Sequence, residues 1–498
     1  MKRQLKLFFI VLITAVVASA LTLFITGNSS ILGQKSASMG DSKFDKLNKA
    51  YEQIKSDYYQ KTDDDKLVDG AIKGMIQSLD DPYSTYMDQE AAKSFDETIS
   101  ASFEGIGAQV EEKDGEILIV SPIKGSPAEK AGIKPKDQIL KVNGKSVKGM
   151  NVNEAVALIR GKKGTKVNLE LNRAGVGNID LSIKRDTIPV ETVYSEMKDN
   201  NIGEIQITSF SETTAKELTD AIDSLEKKGA KGYILDLRGN PGGLMDQAIT
   251  MCNLFIEKGK NIMQVEYKNG SKEVMKAEKD RKVTKPTVVL VNDGTASAAE
   301  IMAAALHESS GIPLIGETTF GKGTVQTAKE YDDGSTVKLT VAKWLTADGE
   351  WIHKKGIKPQ VKAELPDYAK LPYLDADKTY KSGDSGTNVK VAQKMLKALG
   401  YKVKVNSTYD QDFVSVVKQF QKKEKLIETG VLTGDTTTKL MTELQKKLSN
   451  NDTQMEKAIE NSEKRNVKKT IRGCRVWFFL CTLFDLGQHL VFYQINLQ

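Results

Sequence analysis

The strongest constraint in this sequence is a stretch, roughly 193–358, in which short apolar runs alternate with amphipathic segments. Residues 202–207, 232–237 and 287–291 carry the aliphatic, β-branched composition of buried strands, and 217–227, 246–255 and 298–307 carry helical spacing. Strands alternating with helices specify a layered α/β core. At 498 residues the chain is too long for that core alone, because a domain holds roughly 100–200 residues.

The flanking segments read as separate modules. Over 43–100 the pattern is helical, with Phe44, Leu47, Ala50, Tyr51 and Ile54 on one face and a second helical segment at 67–79, until Asp80-Asp81-Pro82-Tyr83 breaks it. Over 101–190 the pattern shifts to short strands at 117–120, 139–142 and 167–171, with helical turns at 127–131 and 153–160 and Gly-rich turns between them. Residues 370–384 read as a connector, 385–448 as a small helical unit and 449–498 as a tail of uncertain function, a divergent end or a second membrane contact.

Composition removes several function classes. The 72 basic and 66 acidic residues leave a net charge of +6, and the lysines are scattered, which argues against nucleic acid as a partner. Cys252, Cys474 and Cys481 form no CxxC pair and the chain holds 3 His, so neither a disulfide framework nor a zinc cluster is expected. No metal or organic cofactor is implied.

The N-terminus opens with Lys2, Arg3 and Lys6, then runs uncharged from Leu7 to Ile25. That run can span a hydrocarbon core of about 30 Å. Residues 1–27 are therefore read as a single-pass anchor at the cell membrane, with secretion after cleavage near Ala18-Ser19-Ala20 as the alternative. Either way the rest of the chain is expected outside the cytoplasm, beyond a Ser/Gly-rich linker at 28–42.

Candidate chemistry lies in the α/β core. Val288 to Glu300 reads as strand, tight turn and helix start, with Ser297 at the turn, where free helix N–H groups can hold an oxyanion. Ser297 could equally be an ordinary N-cap. His307 lies ten residues further along the same helix, roughly 15 Å away at 1.5 Å per residue, too far to act as its base. Lys322, between Gly321 and Gly323, is the other candidate base. A strand starting at Thr324 would put Lys322, Thr324 and Gln326 on one face, where Gln326 could orient the amine. A lysine acts as base only when neutral, so its site must desolvate it; most lysines are simply solvated. Asp236-Leu237-Arg238-Gly239-Asn240-Pro241-Gly242-Gly243 follows a strand and frees backbone N–H groups. Ser224-Leu225-Glu226-Lys227 matches an SxxK pattern but sits mid-way in a charged amphipathic helix, with no Lys-Thr-Gly partner element, and reads as surface.

Taken together, the ordered set Asp236-Leu237-Arg238 with Pro241-Gly242-Gly243, then Asp293-Gly294 with Ser297-Ala298-Ala299-Glu300, then Phe320-Gly321-Lys322-Gly323 with Gln326, resembles the carboxyl-terminal processing, or tail-specific, serine peptidases, in particular bacterial membrane-anchored members. Ser78-Leu79-Asp80-Asp81-Pro82-Tyr83-Ser84 and Leu158-Ile159-Arg160-Gly161 add to it. The resemblance spans about 1–448. It implies a multi-domain α/β protein: a layered α/β (ClpP/crotonase-like) peptidase core at 191–369, an inserted β-rich PDZ domain at 101–190, and a small helical peptidoglycan-binding module at 385–448. It implies Ser297 as nucleophile, Lys322 as general base and Gln326 holding the lysine. The oxyanion hole would come from N–H groups of Gly242, Gly243 and Ala298. It implies that Phe103-Glu104-Gly105-Ile106-Gly107 is a carboxylate loop, with Gly105, Ile106 and Gly107 binding substrate.

The expected function is a serine endopeptidase that recognises and cleaves C-terminal tails of extracytoplasmic proteins. Its partners would be peptides with free C-termini and peptidoglycan, and helical segments at both ends of the soluble part suit a homodimer. Two alternatives stay open: a catalytically inert, wall-tethered PDZ adaptor, and a crotonase-like acyl-transfer enzyme, which would show a coenzyme dependence.

Overall fold

The computed structural model describes residues 42–113 and 115–465. The expected anchor at 1–27, Cys474 and Cys481 lie outside the described residues. Among those described, no helix is long and apolar enough to cross a membrane.

Contacts divide the chain into two units, 42–88 with 330–338, and 89–329 with 339–465. In the first, helices Ser42–Asp57 and Asp64–Gln77 precede a short strand, Thr85–Met87, that pairs antiparallel with Thr336, Val337 and Lys338. Asp63 caps the second helix by accepting from Asp65 and Lys66 N–H. The break expected at Asp80 is present: Asp80 takes φ 51°, and the Asp81 carboxylate accepts from Tyr83 N–H and Ser84 Oγ. Phe44, Leu47 and Ile54 of the first helix are exposed.

The second unit is built around a six-stranded sheet, ordered Val193–Lys198, Ile202–Ile207, Gly232–Asp236, Thr287–Val291, Leu314–Gly316 and Val361–Lys362. The first pair is antiparallel and the others parallel. Parallel strands covered on both faces read as continuous apolar runs, and every residue of Gly232–Asp236 and Thr287–Val291 is buried. Helices Thr214–Lys227, Met245–Cys252 and Ala298–Ser310 pack with one face through Leu218, Ile222, Leu225, Met251, Met302 and Leu306. The other face presents Ile202, Ile234, Val288, Leu290 and Ile315, and Met455 and Ala458 pack on it.

That packing gives the first part of the 449–498 tail, whose function the sequence leaves open, a place in the fold. Residues 453–465 are helical and close the second face of the sheet, with Ala458 fully buried. Gln454 Nε2 donates to Ala363 O at 2.9 Å.

The β-rich module holds a sheet ordered Ala108–Lys113, Glu116–Pro122, Gln138–Val142, Lys166–Arg173 and Gly177–Lys184, covered by helix Val152–Ile159, whose Asn151 and Glu154 form a capping box. Its core includes Ile117, Ile119, Ile139, Val167 and Leu171. Asp137 is 1% exposed and accepts from Arg173 Nε and Nη2, both at 2.7 Å, and from Lys134 N–H. Burial pushes its carboxyl up, but Arg173 and the amide outweigh that and hold it below the usual carboxylate range. With the folded value below the unfolded one, the stabilisation is present above the unfolded pKa of about 3.9 and is lost as pH falls through the folded value. Asp137→Asn should cost about 3 kcal/mol at pH 7, because it leaves Arg173 without its counter-charge. Urea unfolding should show that gap closing as pH falls below the unfolded pKa of about 3.9 and through the lower folded value; a pH-independent gap would remove the charge from the explanation.

The last module packs helices Thr387–Ala398, Gln411–Lys423 and Gly434–Ser449 around Leu396, Phe413, Phe420 and Leu440. Two fully buried amides fasten its loops. Gln393 accepts from Asn406 and Ser407 N–H and donates to Thr408 O, and Gln421 accepts from Gly430 N–H and donates to Val431 O.

Candidate active site

Three loops leave the C-terminal ends of neighbouring parallel strands, the position where open α/β sheets assemble their sites. Asn240, fully buried, ties them: its Nδ2 donates to Ile207 O at 2.7 Å, its Oδ1 accepts from Gly242 N–H at 2.8 Å, and its carbonyl accepts from Ala296 N–H at 2.9 Å. Asn292 Oδ1 accepts from Gly239 and Gly294 N–H, and Thr295 Oγ1 donates to Leu237 O at 2.8 Å. Neither asparagine stood out in the sequence, because each acts through backbone groups remote in the chain.

Ser297 stands between strand Thr287–Val291 and helix Ala298–Ser310, half-buried, at φ 55° and ψ −119°. A non-glycine residue there is strained by about 1–3 kcal/mol and persists only where its surroundings over-determine it. A sharp strand-to-helix turn of this kind lifts a serine hydroxyl clear of the sheet. The Glu300 carboxylate holds the turn, accepting from Ser297 N–H at 2.9 Å and from Lys322 N–H at 2.8 Å through the same oxygen, Oε2. One acceptor atom thus joins the backbones of two residues that the sequence separates.

Lys322 lies two residues ahead of strand Thr324–Glu330. Its carbonyl accepts from Trp344 Nε1 at 2.8 Å, and the Gly323 carbonyl accepts from Trp351 Nε1 at 2.9 Å. Both flanking glycines are required by close approach: a Cβ on Gly321 would stand 2.8 Å from Gly356 N, and one on Gly323 2.9 Å from Trp351 Nε1. Gln326 and Thr324 share a face as expected from the strand period, with Gln326 Nε2 donating to Thr324 Oγ1 at 2.9 Å and to Thr340 Oγ1 at 3.2 Å.

Beside Ser297 runs the Pro241-Gly242-Gly243 loop. A Cβ on Gly242, at φ 99°, would stand 2.8 Å from Ser297 Cβ and 2.9 Å from Ala298 N. Of the three N–H groups expected at an oxyanion hole, that of Gly242 is used internally on Asn240 Oδ1. Among the described residues the N–H groups of Gly243, which is exposed, and of Ala298 have no acceptor. Gly242→Ala should keep the fold but lower turnover roughly 100-fold by displacing the serine turn; unchanged kcat would show that the loop yields without moving Ser297.

Arg238, in the same loop, donates bidentately to Asp236 and also reaches Asp452 at 2.9 Å. Burial works against the guanidinium charge, but the two carboxylates outweigh it and raise its pKa above the ordinary value. His307 is half-buried at the far end of the Ser297 helix, with Nδ1 against Ile312 O. Ser224 lies in a helix that buries Leu225. Cys252 is fully buried, which pushes its thiol up and keeps it out of thiolate chemistry. Among the described residues no group of His, Cys, Asp and Glu gathers as metal ligands.

In the β-rich module, Gly105, Ile106 and Gly107 join strand Ser102–Gly105 to strand Ala108–Lys113, which is an edge of its sheet. The Ile106 side chain is buried in the module core. The carbonyls of Ile106 and Gly107 accept from Ala128 and Ile123 N–H, each at 2.8 Å, whereas among the described residues their own N–H groups have no acceptor. Gly107 sits at φ 73°, and a Cβ there would stand 2.5 Å from Ser126 Cβ.

A strained serine turn at the end of a parallel strand, beside two open N–H groups, is an arrangement that serine hydrolases of several kinds use, and comparison with known families gives the class. Residues 201–363 match the model of Peptidase family S41, 96–172 match the PDZ domain, 385–440 the putative peptidoglycan binding domain and 21–91 the activating protease CtpB N-terminal domain. The chain is similar to carboxy-terminal processing protease CtpA of Bacillus subtilis (strain 168), 96% identical over 464 residues that cover 93% of this chain and 100% of the relative. It is 43% identical to a probable CtpA-like serine protease of Staphylococcus aureus (strain COL) over 456 residues, 90% of each. A solved photosystem II D1 C-terminal processing protease is 28% identical with a TM-score of 0.39, covering 66% of this chain and 87% of that one. The chain belongs to the carboxy-terminal processing proteases of family S41 and is a serine-type C-terminal processing peptidase. The inert-adaptor and acyl-transferase alternatives are set aside.

Proposed function

We propose that Ser297 is the nucleophile and Lys322 the general base of this peptidase, acting on the C-terminal tails of extracytoplasmic proteins. The observation that carries the reading is the strained Ser297 turn joined to the Lys322 backbone through Glu300 Oε2. Neutral Lys322 takes the Ser297 hydroxyl proton as Oγ attacks the scissile carbonyl. The Gly243 and Ala298 N–H groups receive the developing oxyanion. On collapse, the lysine returns its proton to the departing amine, and water then releases the acyl chain from Ser297 by the same steps. Gln326, anchored by Thr324 and Thr340, orients the lysine.

The PDZ module supplies the selection. The open N–H groups of Ile106 and Gly107 would bind a terminal carboxylate while the peptide adds as a strand along Ala108–Lys113. The basic and then apolar N-terminus supports a single-pass membrane anchor with the catalytic part outside the cytoplasm. The small helical module supports tethering to peptidoglycan, and the uncovered face of Phe44, Leu47 and Ile54 supports self-association of two copies.

The test is turnover by the full chain of one unstructured peptide made with a free and with an amidated C-terminus. Amidation should raise KM roughly 10-fold or more, the worth of a charge-assisted hydrogen bond. Equal kinetics on the two peptides would remove the carboxylate from the account.

A further inference from the structure

Glu300 lies in the first turn of helix Ala298–Ser310 and is 0% exposed. A carboxylate taken wholly out of water persists only when its lone pairs are satisfied, and four donors converge on this one. Oε2 accepts from Ser297 N–H and Lys322 N–H. Oε1 accepts from Gly321 N–H at 2.7 Å and from Thr319 Oγ1 at 2.5 Å. A glutamate three residues after a serine N-cap ordinarily reaches back to that residue's N–H and leaves its other lone pairs in water. Here they are spent on a second segment, residues 319–322, and three of the four donors are main-chain amides.

We infer that Glu300 is a positioning residue for the reaction: its carboxylate fixes the Ser297 turn and the Lys322 loop relative to each other. The inference rests on the Ser297–Lys322 reading. The strained φ of Ser297 needs a surrounding structure that over-determines it, and the Ser297 N–H bond to Oε2 supplies part of that constraint. Holding Lys322 N–H to the same atom means that neither segment can shift without breaking the shared contact. The base and the nucleophile are thereby registered before substrate arrives. Proton transfer demands such registration, since a misplacement of about 1 Å can cost roughly 100-fold in rate.

Glu300→Gln is nearly isosteric and replaces one acceptor oxygen by a donor. Thr319 can turn its hydroxyl to accept from the new amide, but a main-chain N–H cannot: the amide nitrogen faces Gly321 N–H when it sits at the Oε1 position, pushing on the residue beside Lys322, and faces both Ser297 and Lys322 N–H when it sits at Oε2, so the Lys322 side of the bridge is displaced in either orientation. In the full chain, with an unstructured protein substrate, kcat per folded molecule should fall roughly 100-fold with KM changed by less than about 2-fold. Labelling of Ser297 by a serine-directed fluorophosphonate should slow in parallel. Leu225→Ala, a fully buried position in the core, serves as the control: it lowers the melting temperature while kcat per folded molecule stays within about 2-fold.

Wild-type kcat in Glu300→Gln, or a loss matching only the unfolded fraction, overturns the inference; so does a Glu300→Gln chain that does not fold, because Glu300 would then serve the fold rather than the dyad. Ser297→Ala and Lys322→Ala run alongside. If either keeps activity, the dyad reading itself has failed, whereas inactive dyad variants beside an unimpaired Glu300→Gln remove only the role of Glu300.

Discussion

Ser297→Ala and Lys322→Ala should each lower kcat by about 10⁴-fold or more, because removing one member of a nucleophile–base pair costs nearly as much as removing both. The double variant should be no worse than either single one, and independent, multiplying losses would show that the two residues do not act as a unit. In the wild-type chain log(kcat/KM) should rise with slope one as pH increases toward the pKa of the base, since lysine accepts the hydroxyl proton only when neutral. A flat profile would exclude an amine base. A further signature follows from the backbone. Ser297 is held at φ 55°, a conformation that glycine adopts freely and alanine does not. Ser297→Gly should therefore be as inactive as Ser297→Ala but more stable than it by about 1 kcal/mol, the strain relieved less the extra freedom of the unfolded glycine. Equal melting temperatures for the two variants would mean that the turn is not strained.

The parts of this molecule that were legible in the sequence are those written in local patterns. The buried strand Thr287–Val291 reads directly from its apolar run, and the Asp80 break from a helix pattern stopped by Asp-Asp-Pro. Ser297 and Lys322 read locally as an ordinary N-cap and a solvated lysine, and it is the resemblance, through the ordered set of motifs around them, that makes them and Gln326 candidates. What stayed hidden acts across the chain. Asn240 and Asn292 look like ordinary turn residues until their amides are seen bonding the backbones of neighbouring loops. Glu300 looks like a helix-start glutamate, and nothing local says that its second oxygen faces Thr319 and Gly321. Gly242 and Gly243 are indistinguishable in sequence, yet one N–H is consumed by Asn240 and the other is open. The helix at 453–465 was missed for a different reason. Only a narrow stripe, Met455, Ala458 and Ile459, meets the core, and in a lysine- and glutamate-rich segment such a stripe does not stand out from a solvated tail.

That same helix gives the second large effect. A chain ending at 450 would lose Met455 and Ala458 and uncover Ile202, Ile234, Val288, Leu290 and Ile315, all 0% exposed. It would also strip Arg238 of Asp452 and Gln454, leaving a half-buried guanidinium partnered by Asp236 alone among these groups. Uncovering several aliphatic side chains at about 25 cal/mol per Å², with partial loss of a buried ion network, should cost about 5 kcal/mol, comparable to the whole stability of many domains. The shortened chain should therefore melt well below the full one and lose activity without any change at Ser297 or Lys322. A chain ending at 465 keeps every one of these contacts and is the reference against which the melting temperature and kcat of the shorter chain are read. The milder variant Asp452→Asn separates the two contributions. It leaves the apolar stripe in place and removes one charge from Arg238, whose loop carries Gly242 and Gly243 beside Ser297. If it lowers kcat more than it lowers the melting temperature, the C-terminal helix acts on the Gly242-Gly243 loop as well as on the sheet; the opposite pattern would confine its role to covering the core.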